Sequence, residues 1–257
     1  MLNIKEYRKV QSLKEAYELN QKKNNRIIAG GIWIKMGKRK LSTAIDLSGL
    51  GLNQIVETDI EFRIGCMTTI RDLEVHPGLA NYTNGAMKES VRHIVGVQFR
   101  NCATVGGSIF GRFGFSDVLT LFLALDTTVE LFHAGTLPLR EFIHMPYDND
   151  ILVALHIKKK QIQICYQSER NTATDFPLIA CAVSSYDGLL HVSVGARPMR
   201  AELFEKELGA YQSMTPDEIG KETALQFTYG NNRRAKADYR RHVAGVLIKR
   251  ACQTVLG

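Results

Sequence analysis

A chain of 257 residues carries 33 Lys and Arg against 26 Asp and Glu, a formal charge of +7, with 45% hydrophobic and 23% charged residues, 21 Gly and 6 Pro. This composition excludes a collagenous, low-complexity or disordered chain and supplies a core for one large domain or two modest ones. The longest apolar run, residues 118–125, falls far short of the roughly 20 residues of a membrane span. The charged N-terminal stretch has no signal-peptide core, so a soluble cytoplasmic protein with no membrane contact is expected.

Ser12 with Glu15 three positions on forms a capping box opening an amphipathic helix that ends near residues 22–25. Residues 26–29 read as a short buried strand stopped by Gly30-Gly31, and residues 44–47 and 60–64 as further strands. Thr69 to Asp72 caps a helix that Pro77-Gly78 terminates. Asn84-Gly85 marks a turn before a helical stretch holding Met87, Val91, Ile94 and Val95. After Gly106-Gly107 comes an apolar helix around residues 119–125, then strands at 129–132 and 151–157.

The character changes at Lys158-Lys159-Lys160, after which strands crowd together at 161–167, 178–185 and 189–194. Asp187-Gly188 between the last two is a hairpin signal. Thr215-Pro216-Asp217-Glu218 places a cap, a first-turn Pro and two acids at a helix start. Residues 237–256 then put Tyr239, Val243, Val246, Leu247 and Ala251 on one helix face. The pattern predicts an α+β chain with domains 1–157 and 158–257.

Five cysteines (Cys66, Cys102, Cys165, Cys181 and Cys252) are odd in number, widely spaced and without a C-x-x-C. Neither a disulfide framework nor a self-contained iron–sulfur or zinc site is expected. The seven His show no chelating spacing, and no metal ligand is assigned. Residues 31–39 imitate a phosphate loop, but with five residues between the glycines and Arg39 where the magnesium-binding hydroxyl belongs. No G-x-G-x-x-G occurs, and Phe110 spoils a nucleophile elbow at Ser108. A basic C-terminal region (Arg233, Arg234, Lys236, Arg240, Arg241, Lys249, Arg250) lacks an aromatic platform. It reads as a solvated face or subunit contact, not a nucleic-acid site.

Two segments remain. One is Ile27-Ile28-Ala29-Gly30-Gly31; the other is Arg100-Asn101-Cys102-Ala103-Thr104-Val105-Gly106-Gly107-Ser108. Backbone without Cβ lets a chain approach a pyrophosphate, and successive N–H groups can form an anion nest. On spacing alone, two glycine pairs either clamp one diphosphate from two sides or are two structural turns.

These segments, with Ile64-Gly65-Cys66-Met67-Thr68-Thr69-Ile70-Arg71-Asp72-Leu73-Glu74, Asp117 and the block from Asp238 to Leu247, resemble the FAD-binding medium subunit of the molybdenum hydroxylases, the xanthine and carbon monoxide dehydrogenases. The resemblance implies two α+β subdomains holding FAD, then a small C-terminal domain of three antiparallel strands and helices. It implies that Ile27, Ile28, Ala29, Gly30, Gly31, Ile32, Trp33 and Ile34 wrap the FAD diphosphate. Thr104, Val105, Gly106, Gly107 and Ser108 would form the second loop, with Ile94 near the flavin, Leu152 near the adenine and Asp117 hydrogen-bonding the cofactor. Where the family's first loop continues with a Thr or Asn and an acid, this chain has Ile32-Trp33, which shifts work to the backbone. Arg112 reads equally as a phosphate partner or an exposed arginine.

The function so implied is electron transfer from [2Fe–2S] clusters on a small subunit through FAD to NAD or another acceptor, beside a large subunit holding the molybdenum cofactor. No side chain is assigned as a catalytic acid or base. The alternative is a docking or scaffold subunit with a degenerate flavin site. The substrate of the molybdenum subunit, the final acceptor and the stoichiometry are not written in this chain.

Overall fold

The computed structural model describes residues 2–257. It is mixed α+β and folds as two compact units between which the chain passes repeatedly. One unit comprises the chain up to Asp72, with Val97–Gly111 and Thr128–Ile157. The other comprises Leu73–Gly96, Arg112–Thr127 and Lys158–Gly257.

The first unit opens with a three-stranded parallel sheet: β1 (Asn3–Lys9), β2 (Arg26–Ile28) and β3 (Lys40–Asp46), in the order β1-β3-β2. Parallel strands require a crossover, here the helix Leu13–Asn20 between β1 and β2. The Ser12 hydroxyl accepts from the Glu15 N–H at 3.1 Å, but Glu15 returns to the Gln11 N–H at 2.8 Å rather than to Ser12 itself. Leu41, Ala44 and Ile45 of β3 are buried with Val10 and Ala16. β1, NIKEYRK, is exposed along its whole length. Charged edge strands of this kind blunt further pairing and give no hydrophobic alternation to read, which is why β1 is not among the expected strands.

A five-stranded sheet follows: β4 (Ile55–Glu57), β5 (Glu61–Gly65), β6 (Thr127–Leu131), β7 (Gly135–Pro138) and β8 (Leu152–Lys158), ordered β4-β5-β8-β6-β7. β8 lies at its centre with Leu152, Val153, Ala154, Leu155 and Ile157 buried, so it reads as a continuous apolar run.

The second unit is built on β9 (Gln163–Glu169), β10 (Ile179–Tyr186), β11 (Leu189–Gly195) and β12 (Glu202–Glu207), an antiparallel sheet ordered β12-β11-β10-β9. Four strands stand where three are expected. The fourth, ELFEKE, alternates charge with Leu203 and Phe204 too weakly to register as a strand. Asp187 (φ 50°) and Gly188 (φ 77°) make the hairpin between β10 and β11 with both central residues left-handed. Ile179, Cys181 and Val183 share one face of β10 and pack with Ala244, Leu247, Ile248, Ala251 and Cys252 of the helix Ala237–Val255. On the opposite face, Ser184 donates to the carbonyl of Ala124, next to the helix Asp117–Leu123. Burial on both faces explains the unbroken apolar reading of residues 179–184.

The helix that Thr69 opens, Ile70–Val75, stops just before Pro77 as expected, and Pro77 also begins the next helix, Pro77–Tyr82, whose first turn is capped by His76 Nδ1 accepting from the Leu79 N–H at 3.2 Å. Pro at the first helical position loses no hydrogen bond. The helix after Asn84-Gly85 covers only Ala86–Val91, leaving Ile94 and Val95 in the following loop. No helix among the described residues is long and apolar enough to cross a membrane.

Candidate functional site

β2 pairs in parallel with β3, Ile27 opposite Ile45 and Ile28 opposite Asp46, and the chain leaves the carboxyl end of β2 into Gly30-Gly31. Loops at that end of parallel strands are where α/β folds bind ligands. Ile27 and Ile28 are half-buried rather than buried. A Cβ on Gly30 would stand 1.7 Å from the carbonyl oxygen of Cys102 and 3.1 Å from the nitrogen of Ala103. Gly31 has φ +68° and open space where its Cβ would be. The loop closes by a short 3-10 turn, Ile34–Met36, with the Lys35 N–H on the Gly31 carbonyl at 3.0 Å and the Met36 N–H on Trp33 at 3.3 Å.

The consecutive N–H groups of Gly30, Gly31 and Ile32 have no acceptor among the described residues. Half-buried amides left unpaired carry a cost unless something accepts from them. Successive N–H groups around a left-handed residue form a concave anion site. The first segment therefore fits a diphosphate by backbone alone, with no help from the side chain of Ile32.

The second segment is built differently. Thr104 lies just ahead of the short helix Val105–Gly111, so Gly106-Gly107 sits in a helical turn, not in a free bend. Its amides are already engaged: Val105 donates to Thr68 O at 2.9 Å, Gly106 to Cys66 O at 2.8 Å and Gly107 to Thr104 Oγ1 at 3.2 Å. A Cβ on Gly106 would meet the Cys66 carbonyl at 2.6 Å, whereas one on Gly107 would meet only Thr104 Oγ1, at 3.2 Å. Gly107 is exposed. This segment thus presents an open face at Gly107, not a second set of amides.

The two segments meet, because Gly30 packs on the backbone that leads directly into Thr104. Leu152 is buried at the start of β8. The next residue, Val153, accepts from the Cys66 N–H at 2.9 Å, so β8 braces the strand end that holds Gly106.

Ile94 and Asp117 belong to the second unit. Ile94 is half-buried, its N–H on Val91 O at 2.9 Å, and Val95 beside it has φ +49°. A β-branched residue held there is strained, a condition that collects at ligand sites. Asp117 opens the helix Asp117–Leu123, capped by Ser116 Oγ accepting from the Leu119 N–H at 3.1 Å. The Tyr166 hydroxyl donates to Asp117 Oδ1, and Arg170 Nη2 reaches the same oxygen at 2.5 Å. Arg170 is itself fixed by Ser168 Oγ at 3.1 Å and the Asp175 carbonyl at 2.7 Å. Burial pushes the Asp117 carboxyl up, with Arg170 and Tyr166 pulling against it; burial likewise drives the Tyr166 phenol well above its ordinary range. Arg112 is buried with φ +45°, which rules out its reading as an exposed arginine.

Sequence reasoning did not single out Tyr166 and Arg170, nor the main-chain roles of Cys66 and Cys102. The first pair was readable, since Tyr166, Ser168 and Arg170 fall on one face at a strand period of two. The cysteines act through carbonyls, which residue type does not reveal.

A family profile described as the FAD binding domain in molybdopterin dehydrogenase matches residues 2–159. Over 255 residues the chain is 22% identical to the Escherichia coli (strain K12) protein described as "Uncharacterized protein YgfM", covering 95% of this chain and 94% of that one. Among solved structures, carbon monoxide dehydrogenase from Hydrogenophaga pseudoflava aligns with a TM-score of 0.84 at 20% identity, over 98% of this chain and 96% of that chain. Quinoline 2-oxidoreductase from Pseudomonas putida 86 aligns with a TM-score of 0.83 at 19% identity, over 96% and 95%.

Proposed function

Because the chain belongs to the family of FAD-binding domains of the molybdopterin dehydrogenases, we propose that it is the electron-transferring flavoprotein subunit of a molybdenum hydroxylase complex. In this reading electrons arrive from [2Fe–2S] clusters on a small subunit, a large subunit holds the molybdenum cofactor, and NAD or another acceptor takes the electrons away. The five cysteines are free and scattered, so clusters have to come from a partner. Thiols kept reduced also suit the cytoplasm.

One observation carries the reading: three consecutive unpaired amides, Gly30 to Ile32, packed against the segment that leads into Thr104. When bound, FAD supplies the exchange between one-electron and two-electron transfer. The chain's own part is to bind and orient. The amides of the first segment hold the diphosphate, Gly107 leaves room for it, and the hydroxyls of Thr104 and Ser108 donate to it. Asp117, fixed by Tyr166 and Arg170, accepts a hydrogen bond from the cofactor, while Ile94 and Leu152 make apolar contacts. We assign residues 1–157 to FAD binding and 158–257 to a C-terminal domain, supported by the profile match ending at residue 159.

A second reading, a docking subunit with a degenerate flavin site, draws on the engaged amides of Val105, Gly106 and Gly107. Purified chain titrated with FAD separates the two. A yellow protein that loses its flavin when Gly107 becomes Phe supports the first, and a colourless protein that still assembles supports the second.

A further inference from the structure

Between Glu18 and Asp46 the chain has no acidic residue but seven basic ones: Lys22, Lys23, Arg26, Lys35, Lys38, Arg39 and Lys40. Three of them converge. Asn24, Arg26, Arg39, Lys40 and Leu41 line a depression of about 450 Å³ in the first unit, a volume in the range of small-molecule sites. Leu41 is buried at 2% exposure and gives the depression an apolar wall, while Arg39 and Lys40 are exposed and Arg26 half-buried. Among the described residues, none of the three cations has a carboxylate partner.

The local backbone is fixed. Asn24 is left-handed at φ 64°, and its carbonyl accepts from the Ser42 N–H at 2.9 Å. The Asn3 N–H donates to the Arg39 carbonyl at 3.1 Å. Arg26 Nη1 donates to the Asn25 carbonyl at 2.5 Å, which orients the guanidinium and leaves its other N–H groups to spare. A guanidinium held in this way has less freedom to lose when it binds.

The depression is not the flavin segment seen from another side. It lies at the amino ends of β2 and β3, whereas Gly30-Gly31 follows the carboxyl end of β2. Ile28 sits opposite Asp46, six residues along β3 from Lys40, which is roughly 20 Å at strand rise. One diphosphate cannot serve both ends.

We propose that this depression is a second anion site, which takes a phosphoryl group, free or carried on a nucleotide. Arg26 and Arg39 match phosphate oxygens through paired N–H donors, and Lys40 adds a point charge. The basic run is then not merely a solvated face but the wall of a binding site. Nothing in this inference depends on where FAD binds.

The test uses the full chain saturated with FAD, titrated calorimetrically with inorganic phosphate, pyrophosphate and ADP, and with sulfate as the control. The proposal expects binding of at least one phosphoryl probe, weakened at least tenfold in Arg39→Glu/Lys40→Glu and in Arg26→Gln, with flavin content and melting temperature unchanged. Phosphate or pyrophosphate binding as well as ADP identifies the free anion as sufficient; ADP binding alone identifies a nucleotide. The proposal is overturned if no phosphoryl probe binds more tightly than sulfate, or if the variants bind like the parent protein. Gly107→Phe serves as the converse control, because it should lose FAD and keep the probe. If the parent protein itself fails to bind FAD while the probe still binds, the flavin reading falls and this one stands.

Discussion

The carbonyl oxygen of Cys102 occupies the space a side chain on Gly30 would need, 1.7 Å from the position of the missing Cβ. This contact joins residues more than seventy positions apart in sequence and sets the first glycine segment against the second. Gly30 is thus required by packing, and Gly31 by conformation.

The two glycines should respond differently to alanine. Gly30→Ala forces backbone against backbone, and overpacking that cannot be relieved by a side-chain rotation costs roughly 1–3 kcal/mol or more. Gly31→Ala meets nothing within 4 Å but must hold φ +68°, a cost of about 1–2 kcal/mol. Urea denaturation midpoints should therefore fall further for Gly30→Ala than for Gly31→Ala.

Gly107→Phe should leave the urea midpoint nearly unchanged, since the only neighbour of a Cβ there is Thr104 Oγ1 at 3.2 Å, a hydroxyl that can adjust. Its FAD affinity should fall at least tenfold, about 1.4 kcal/mol, because the ring occupies the open face. Equal affinity for FAD in the variant and the parent would remove Gly107 from the site.

Arg170 should be worth more to stability than its place on a strand end suggests. Its side chain and that of Asp117 are 7% and 5% exposed, and deleting one partner of a buried pair leaves a stranded charge, at about 3–5 kcal/mol. In Arg170→Met the attraction that opposes burial is gone, so the Asp117 carboxyl rises further above its unfolded value. A raised carboxyl contributes stability at low pH and loses it as pH rises through the folded value. The variant's deficit should therefore widen from acid toward neutral pH. A deficit that narrows instead would contradict the pairing.

The acid limb of stability should involve Asp217. Hydrogen bonds from Lys221 and from Lys249, at 2.6 and 2.9 Å, hold its carboxyl down to about 2. A depressed carboxyl stabilises above its ordinary value and loses that contribution as pH falls through the folded one. Stability should drop between about pH 4 and pH 2, and Asp217→Asn should lose this part of the drop. A melting-temperature series across that interval reads it directly.

The fold was most legible where local chemistry is strong. Ser12, Thr69 and Thr215 mark true helix starts through their side-chain oxygens, and Asp187-Gly188 marks a true hairpin. Residues that pack on both sides, as in β8 and β10, announced themselves as apolar runs. What escaped was structure made by pairing alone. β1 and β12 are charged edge strands defined by their ladders to β3 and β11, and β4 and β7 are short.

At the site, both glycine segments stood out, but their division of labour did not. Gly30-Gly31 and Gly106-Gly107 look alike as sequence. Yet the first leaves its amides open, and the second spends them on Thr68, Cys66 and Thr104. That difference is set by where the chain returns from elsewhere, and a local reading has no access to it. Asp117 likewise was visible, and Tyr166 and Arg170 were readable as one strand face, but that they converge on its carboxylate is set by how the chain folds back on the helix Asp117–Leu123.

Hydrogen–deuterium exchange of the full chain with and without FAD tests the central assignment most directly. The account predicts that FAD slows exchange of the Gly30, Gly31 and Ile32 amides, which have no acceptor of their own among the described residues, and changes Val105 to Gly107 far less. Bound FAD with unaltered exchange at Gly30 to Ile32 would contradict it.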